Sequence, residues 1–127
     1  MNFKMEYRYV PYTALIVVSD HHLNNFYIQR LTQRIKNLTE CSLIEFTSCQ
    51  ISDIELVTKK MIDNRVEQIV FQPVFKRNNF SKYKSLKKDI NKALTKYVNL
   101  KIKINSEVSF FDNVSKKIIE NLEEAIQ

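Results

Sequence analysis

Four short apolar runs, each followed by a segment of helical period, constrain this chain more than any other feature. The runs are TALIVVS (13–19), SLIEFTS (42–48), QIVFQPVF (68–75) and VNLKIKI (98–104). The first intervening segment repeats Leu23, Phe26, Tyr27, Leu31, Ile35 and Leu38 at mostly three- and four-residue steps, giving one apolar face. The second opens with Ser52, Asp53, Ile54 and Glu55, a capping-box pattern, and runs through Val57 and Met61 to a C-cap at Asn64. The third carries Tyr83, Leu86, Ile90, Leu94 and Tyr97 on one face. The fourth follows Asp112, read as its N-cap, with Val114, Ile118, Leu122 and Ala125.

Strict alternation of strand and helix implies an α/β fold with a parallel sheet covered on both faces. TALIVVS and QIVFQPVF are near-continuous apolar runs, as central strands require. VNLKIKI alternates, which suits an edge strand with one wetter face. The expected architecture is three-layer and flavodoxin-like: four parallel strands in the order 2-1-3-4, helices on both faces, right-handed crossovers. The chain divides into an N-terminal extension (1–11) and a single α/β domain (12–127). The extension is read either as disordered or as an extra edge element. At 127 residues the chain suits one core rather than two.

Composition removes whole classes of function. The chain has no glycine, so neither a Walker phosphate loop nor a dinucleotide fingerprint can form, since both need glycine where backbone approaches phosphate. Cys41 and Cys49 flank the second strand. Eight residues of extended chain hold them about 26 Å apart, beyond disulfide reach, so both read as reduced thiols. With no apolar run long enough for a span and no signal-like N-terminus, the expectation is a cytoplasmic protein without a membrane partner.

The net charge of +6 is unevenly placed. Residues 76–103 hold ten Lys/Arg against one acid, Asp89; that segment is +9, and the rest of the chain is −3. Such a local field points to an anionic partner. A nucleic acid is the weakest candidate. Phe80 and Tyr83 could stack on bases, but there is no helix-turn-helix pattern, and the glycine-dependent RNA signatures are impossible here.

In open α/β sheets, ligands bind outside the carboxyl ends of strands where strand order reverses. For 2-1-3-4 this is the gap between strands one and three. Strand one ends in Ser19, Asp20, His21 and His22, which include the only two histidines of the chain. Strand three leads into Lys76, Arg77, Asn78 and Asn79. His21 and His22 are candidate metal ligands or acid–base groups, since imidazole titrates in range and is a borderline ligand. The competing reading is a polar loop in which Asp20 or His22 caps the first helix. Tyr83 and Tyr97 read as core; Phe110 and Phe111 read as core, cleft lining or a dimer face.

ALIVVSDHH, IEFTSCQISDIELVTKKMIDNRVEQIVFQPVF and SLKKDINKAL resemble the small class II chelatases that act on sirohydrochlorin. The resemblance covers most of residues 13–125 and is best from 42 to 75. It implies a single domain that pairs into a homodimer and has no permanently bound cofactor. It also implies an anionic tetrapyrrole as partner, with divalent Co, Ni or Fe entering as a substrate. Catalysis would fall to His21, His22 and Asp20, with His21 and His22 as metal ligands. Ser19, Lys76, Arg77, Asn78 and Lys82 would hold the carboxylates. Aligned without gaps, Asp20 falls on the family's strand-one His, and a one-residue shift puts His21 there; Ser48 stands where a Glu often follows strand two, and Ser85, reached through an insertion, where a second His precedes the third helix. A non-catalytic relative that only binds a tetrapyrrole, or a partner protein, is the alternative this pattern implies.

Overall fold

The computed structural model describes residues 11–126. The elements follow the expected order with one addition: β1 (Thr13–Ser19), α1 (Asn25–Leu38), β2 (Leu43–Ser48), α2 (Ile51–Asp63), β3 (Gln68–Phe75), α3 (Phe80–Leu94), β4 (Lys101–Ile104), β5 (Val108–Ser109) and α4 (Val114–Ile126). The sheet is wholly parallel in the order β2-β1-β3-β4, and β5 also pairs with β3. The flavodoxin-like, three-layer expectation is met. The proposed N-terminal extension lies, apart from Pro11, outside the described residues.

Two apolar layers sandwich the sheet. Ala14, Ile16, Val18, Ile69, Phe71 and Phe75 face α2 and α3, meeting Ile54, Met61, Leu86, Ile90 and Leu94. Leu15, Val17, Val70 and Val74 face the other way, onto Leu31 and Ile35 of α1 and Ile118 and Leu122 of α4. Every residue of β1 and β3 is buried, whereas the edge strands β2 and β4 are not. That is why two runs read as continuous and VNLKIKI as alternating.

The fifth strand has its origin in Pro73. The carbonyls of Phe71 and Phe75 accept from Asn105 and Phe110, so Pro73, at the same parity of β3, would aim its N–H toward this neighbour. Proline has none. β4 pairing stops at Phe71–Ile104 and resumes only at Val74–Val108. The buried Gln72 fills the interruption. Its Nε2 donates to the carbonyls of Pro73 and Ser106, both at 2.9 Å, and its Oε1 accepts from Asn105 and Asn121.

Several helix ends differ from the sequence expectation. The Ser52 capping box does not form: α2 begins at Ile51, after Gln50, and Gln50 gives no side-chain cap. Instead Ser48 Oγ donates to Asp53 Oδ2 at 2.6 Å and accepts from the Gln50 N–H, so the strand end closes the turn. Asn64 is the C-cap of α2, as expected, but at φ −88°; the left-handed residue is Arg65, at φ 63°. Asn79 and Asn24 cap α3 and α1. At α4 the cap is Asn113, whose Oδ1 accepts from the Lys116 N–H, while Asp112 pairs with Lys117. No helix among the described residues is long and apolar enough to cross a membrane.

Candidate functional site

β1 delivers Ser19, Asp20, His21 and His22 to the carboxyl edge of the sheet, where the chain turns before Asn24 caps α1. Neither Asp20 nor His22 is that cap; the Asn24 Oδ1 accepts from the Tyr27 N–H at 2.8 Å. The turn is fixed by Ser19, whose Oγ donates to the His21 carbonyl and accepts from the His21 N–H.

Asp20 is the hub. One carboxylate oxygen accepts from the backbone N–H of Lys76 and lies 2.8 Å from His21 Nδ1; the other lies 3.1 Å from Lys82 Nζ. The side chain is only 12% exposed. Burial works against its charge. The hydrogen bonds from His21, Lys76 and Lys82, together with the Lys82 charge, outweigh it and hold the carboxyl below its ordinary value. Asp20 is thus a committed anion.

His21 is partly buried, its side chain 19% exposed. Its Nδ1 faces Asp20, and the ring packs edge-to-face on Phe110 with centroids 4.9 Å apart. Its Nε2 is buried without a hydrogen-bond partner. His22 is exposed.

A cleft of about 610 Å³ opens beside these residues. Ser19, Asp20, His21, His22 and Lys82 line it, with Phe46, Ser48, Cys49 and Gln50 from the β2–α2 junction. It therefore lies over β1 and β2 rather than in the gap between β1 and β3. That gap is crossed by Asp20 reaching the Lys76 backbone. Lys76, Arg77 and Asn78 are exposed in the β3–α3 loop and do not line the cleft. A second hollow, sharing Cys49 and Lys82 with the first, holds Asn79, Ser81, Ser85 and Asp89. Burial raises the Cys49 thiol, the Asp20 charge adds to that, and Lys82 partly opposes it. Cys41 is buried and likewise raised by burial; both thiols are free.

Sequence reasoning missed the β2–α2 contribution of Phe46, Cys49 and Gln50, and the contact between His21 and Phe110. The first was in reach, because Ser48–Gln50 also follow the carboxyl end of a strand adjacent to strand one. The second had no local signal, since Phe110 arrives only because β5 re-pairs with β3.

Chemically, the cleft lining presents an exposed imidazole at His22, a lysine amine paired with Asp20, the internally bonded hydroxyls of Ser19 and Ser48, and the ring of Phe46. Among the described residues no group of three or more His, Cys, Asp or Glu is placed to hold a metal ion. No protein-family model matches the chain, and no curated protein matches it.

Proposed function

We propose that this chain is a divergent relative of the small class II chelatases, one that binds an anionic, sirohydrochlorin-like tetrapyrrole at the cleft beyond β1 and β2. The observation that carries the reading is the meeting of His21, His22, Asp20 and Lys82 on one cleft at the carboxyl edge of a 2-1-3-4 parallel sheet. The resemblance of residues 13–125 supports the same assignment. Lys82 would meet a ligand carboxylate, and Phe46 the macrocycle. Lys76, Arg77 and Asn78, exposed at the loop above, would steer further carboxylates. The protein would act in the cytoplasm as a homodimer. The exposed Phe26, Leu38 and Phe111 near α1 and α4 favour a covered face.

Binding without metal insertion is the favoured form. Metal insertion needs groups that take the pyrrole N–H protons and present Co²⁺, Ni²⁺ or Fe²⁺ to the ring. Asp20, standing at the family's His, spends its oxygens on protein donors. His21 faces Asp20 and Phe110, which leaves His22 as the exposed imidazole. One observation favours the catalytic form instead: the unpartnered Nε2 of His21 becomes a second ligand or base if its ring turns off Phe110.

Anaerobic mixing of protein, sirohydrochlorin and each metal tests both forms. The expected result is a protein-dependent spectral shift with a metallation rate equal to that of the free tetrapyrrole. Acceleration that disappears in the His21→Ala, His22→Ala double variant would establish insertion. Absence of any shift would overturn the assignment.

A further inference from the structure

The solvent face of α3 carries a basic track apart from the cleft. Leu86, Ile90 and Leu94 anchor the helix to the sheet. On its exposed side Lys84, Lys88 and Lys92 follow one another at four-residue steps, about 6 Å apart along the axis. Lys87 lies beside them, and Lys96 continues the spacing in the turn that follows. None of these five amines forms an ion pair among the described residues; the ion pairs found there use other side chains. Asp89, the acid of this helix, is exposed, lines the hollow beside Ser85, and is the single opposite charge on the helix next to the track.

An aromatic platform stands at the head of the track. Phe80, the first residue of the helix, is 67% exposed. Tyr83 stacks against it at 6.4 Å and 28°, and Lys84 Nζ sits 5.2 Å from the ring centroid. Lys101 and Lys103 do not join this surface, because Ile102 and Ile104 take the α2/α3 side of β4.

We propose that this face of α3 binds single-stranded nucleic acid without sequence preference. Lys84, Lys88, Lys92 and Lys96 would meet successive phosphates, and Phe80 would take a base on its ring. Aromatic stacking beside a cationic track is the recurring chemistry of single-strand binding. Lysines act as point charges that follow a backbone rather than read it. A lipid surface is less well served, since the apolar face of α3 is already spent on the sheet. An acidic protein partner would leave Phe80 without a purpose. The sequence alone ranks nucleic acid lowest because it shows no helix-turn-helix pattern and the RNA signatures need glycine. A lysine track with one exposed ring needs none, and the proposal stands apart from the tetrapyrrole reading.

Fluorescence anisotropy with labelled oligouridine of about 15 nucleotides, matched to single-strand site sizes, tests it on the intact chain. Four phosphate contacts predict a slope of log affinity on log salt of about −3. The triple variant Lys84→Glu, Lys88→Glu, Lys92→Glu should bind at least about tenfold more weakly. The milder Lys→Gln triple should move the same way and guards against a folding defect in the first. Phe80→Ala should weaken oligouridine binding about 5- to 100-fold while leaving heparin binding unchanged. No oligouridine binding at low salt, or binding indifferent to both triple variants, would overturn the proposal. Tighter binding to heparin or to anionic phosphatidylserine vesicles than to oligouridine, with Phe80→Ala neutral, would overturn it in favour of another polyanion.

Discussion

Asp20, at the end of β1, accepts the backbone N–H of Lys76, at the end of β3, at 2.8 Å across 56 residues of sequence. This bond ties two adjacent parallel strands together just where a ligand gap would otherwise open. The same carboxylate holds Lys82 and His21, so one side chain shapes the cleft wall and orients two of its polar groups.

Replacing Asp20 with Asn should therefore cost about 1–3 kcal/mol, the range for losing hydrogen bonds to a buried charged group. Little of this comes from the half-exposed Lys82, whose pairing is screened by water. Urea denaturation of the two proteins at neutral pH measures the difference.

The pH dependence has a definite sign. Because the folded carboxyl of Asp20 lies below its ordinary value of 3.8, its contribution is fully present above that value. It is lost as pH falls through the lower, folded pKa. Unfolding free energies collected as pH falls below 3.8 should drop more steeply in the wild type than in Asp20→Asn. Parallel curves would show that Asp20 is not the group responsible.

The two histidines should separate in their effects. His22 is exposed, so His22→Ala should leave stability within about 0.5 kcal/mol while weakening tetrapyrrole binding. His21 packs on Phe110, and His21→Ala should cost about 1–2 kcal/mol in lost aromatic and burial energy. Thermal denaturation paired with ligand titration distinguishes them.

Arg65 carries a side chain at φ 63°, where a Cβ costs about 1–2 kcal/mol. Glycine removes that strain and returns part of the gain as unfolded-chain entropy. Arg65→Gly should stabilise the fold by about 0.5–1 kcal/mol, read as a higher urea midpoint with unchanged slope.

Gln72 should prove necessary for the fifth strand. Gln72→Leu removes its amide from the Ser106 and Pro73 carbonyls and strands Asn121 and Asn105, at a cost of about 2–3 kcal/mol. Hydrogen exchange should rise most at Val108–Phe110, where pairing resumes beyond Pro73.

Much of this architecture is legible in the sequence because burial on both faces leaves a plain mark. TALIVVS and QIVFQPVF read as central strands because both their faces are apolar, and the structure places them side by side in the expected order 2-1-3-4. Turn chemistry is less legible. Ser52 satisfies the local capping rule, yet Ser48 closes the turn instead, because the end of β2 decides where α2 begins; Asn64 does cap α2, but the left-handed step falls on Arg65. β5 was hidden for a similar reason: two residues carry no period, and the cause, Pro73, lies about 35 positions upstream. The sequence points to the gap between strands one and three, whereas the cleft in the structure lies at the same edge over β1 and β2. A single aspartate side chain closed the expected gap, and its partners, Lys76 and Lys82, are distant in sequence.

The most direct test of the central claim is an equilibrium absorbance titration of the purified protein with sirohydrochlorin, under anaerobic conditions and without metal. The account predicts a saturable spectral shift that weakens in Lys82→Ala and in His22→Ala. A spectrum identical to that of the free tetrapyrrole at every protein concentration would contradict it.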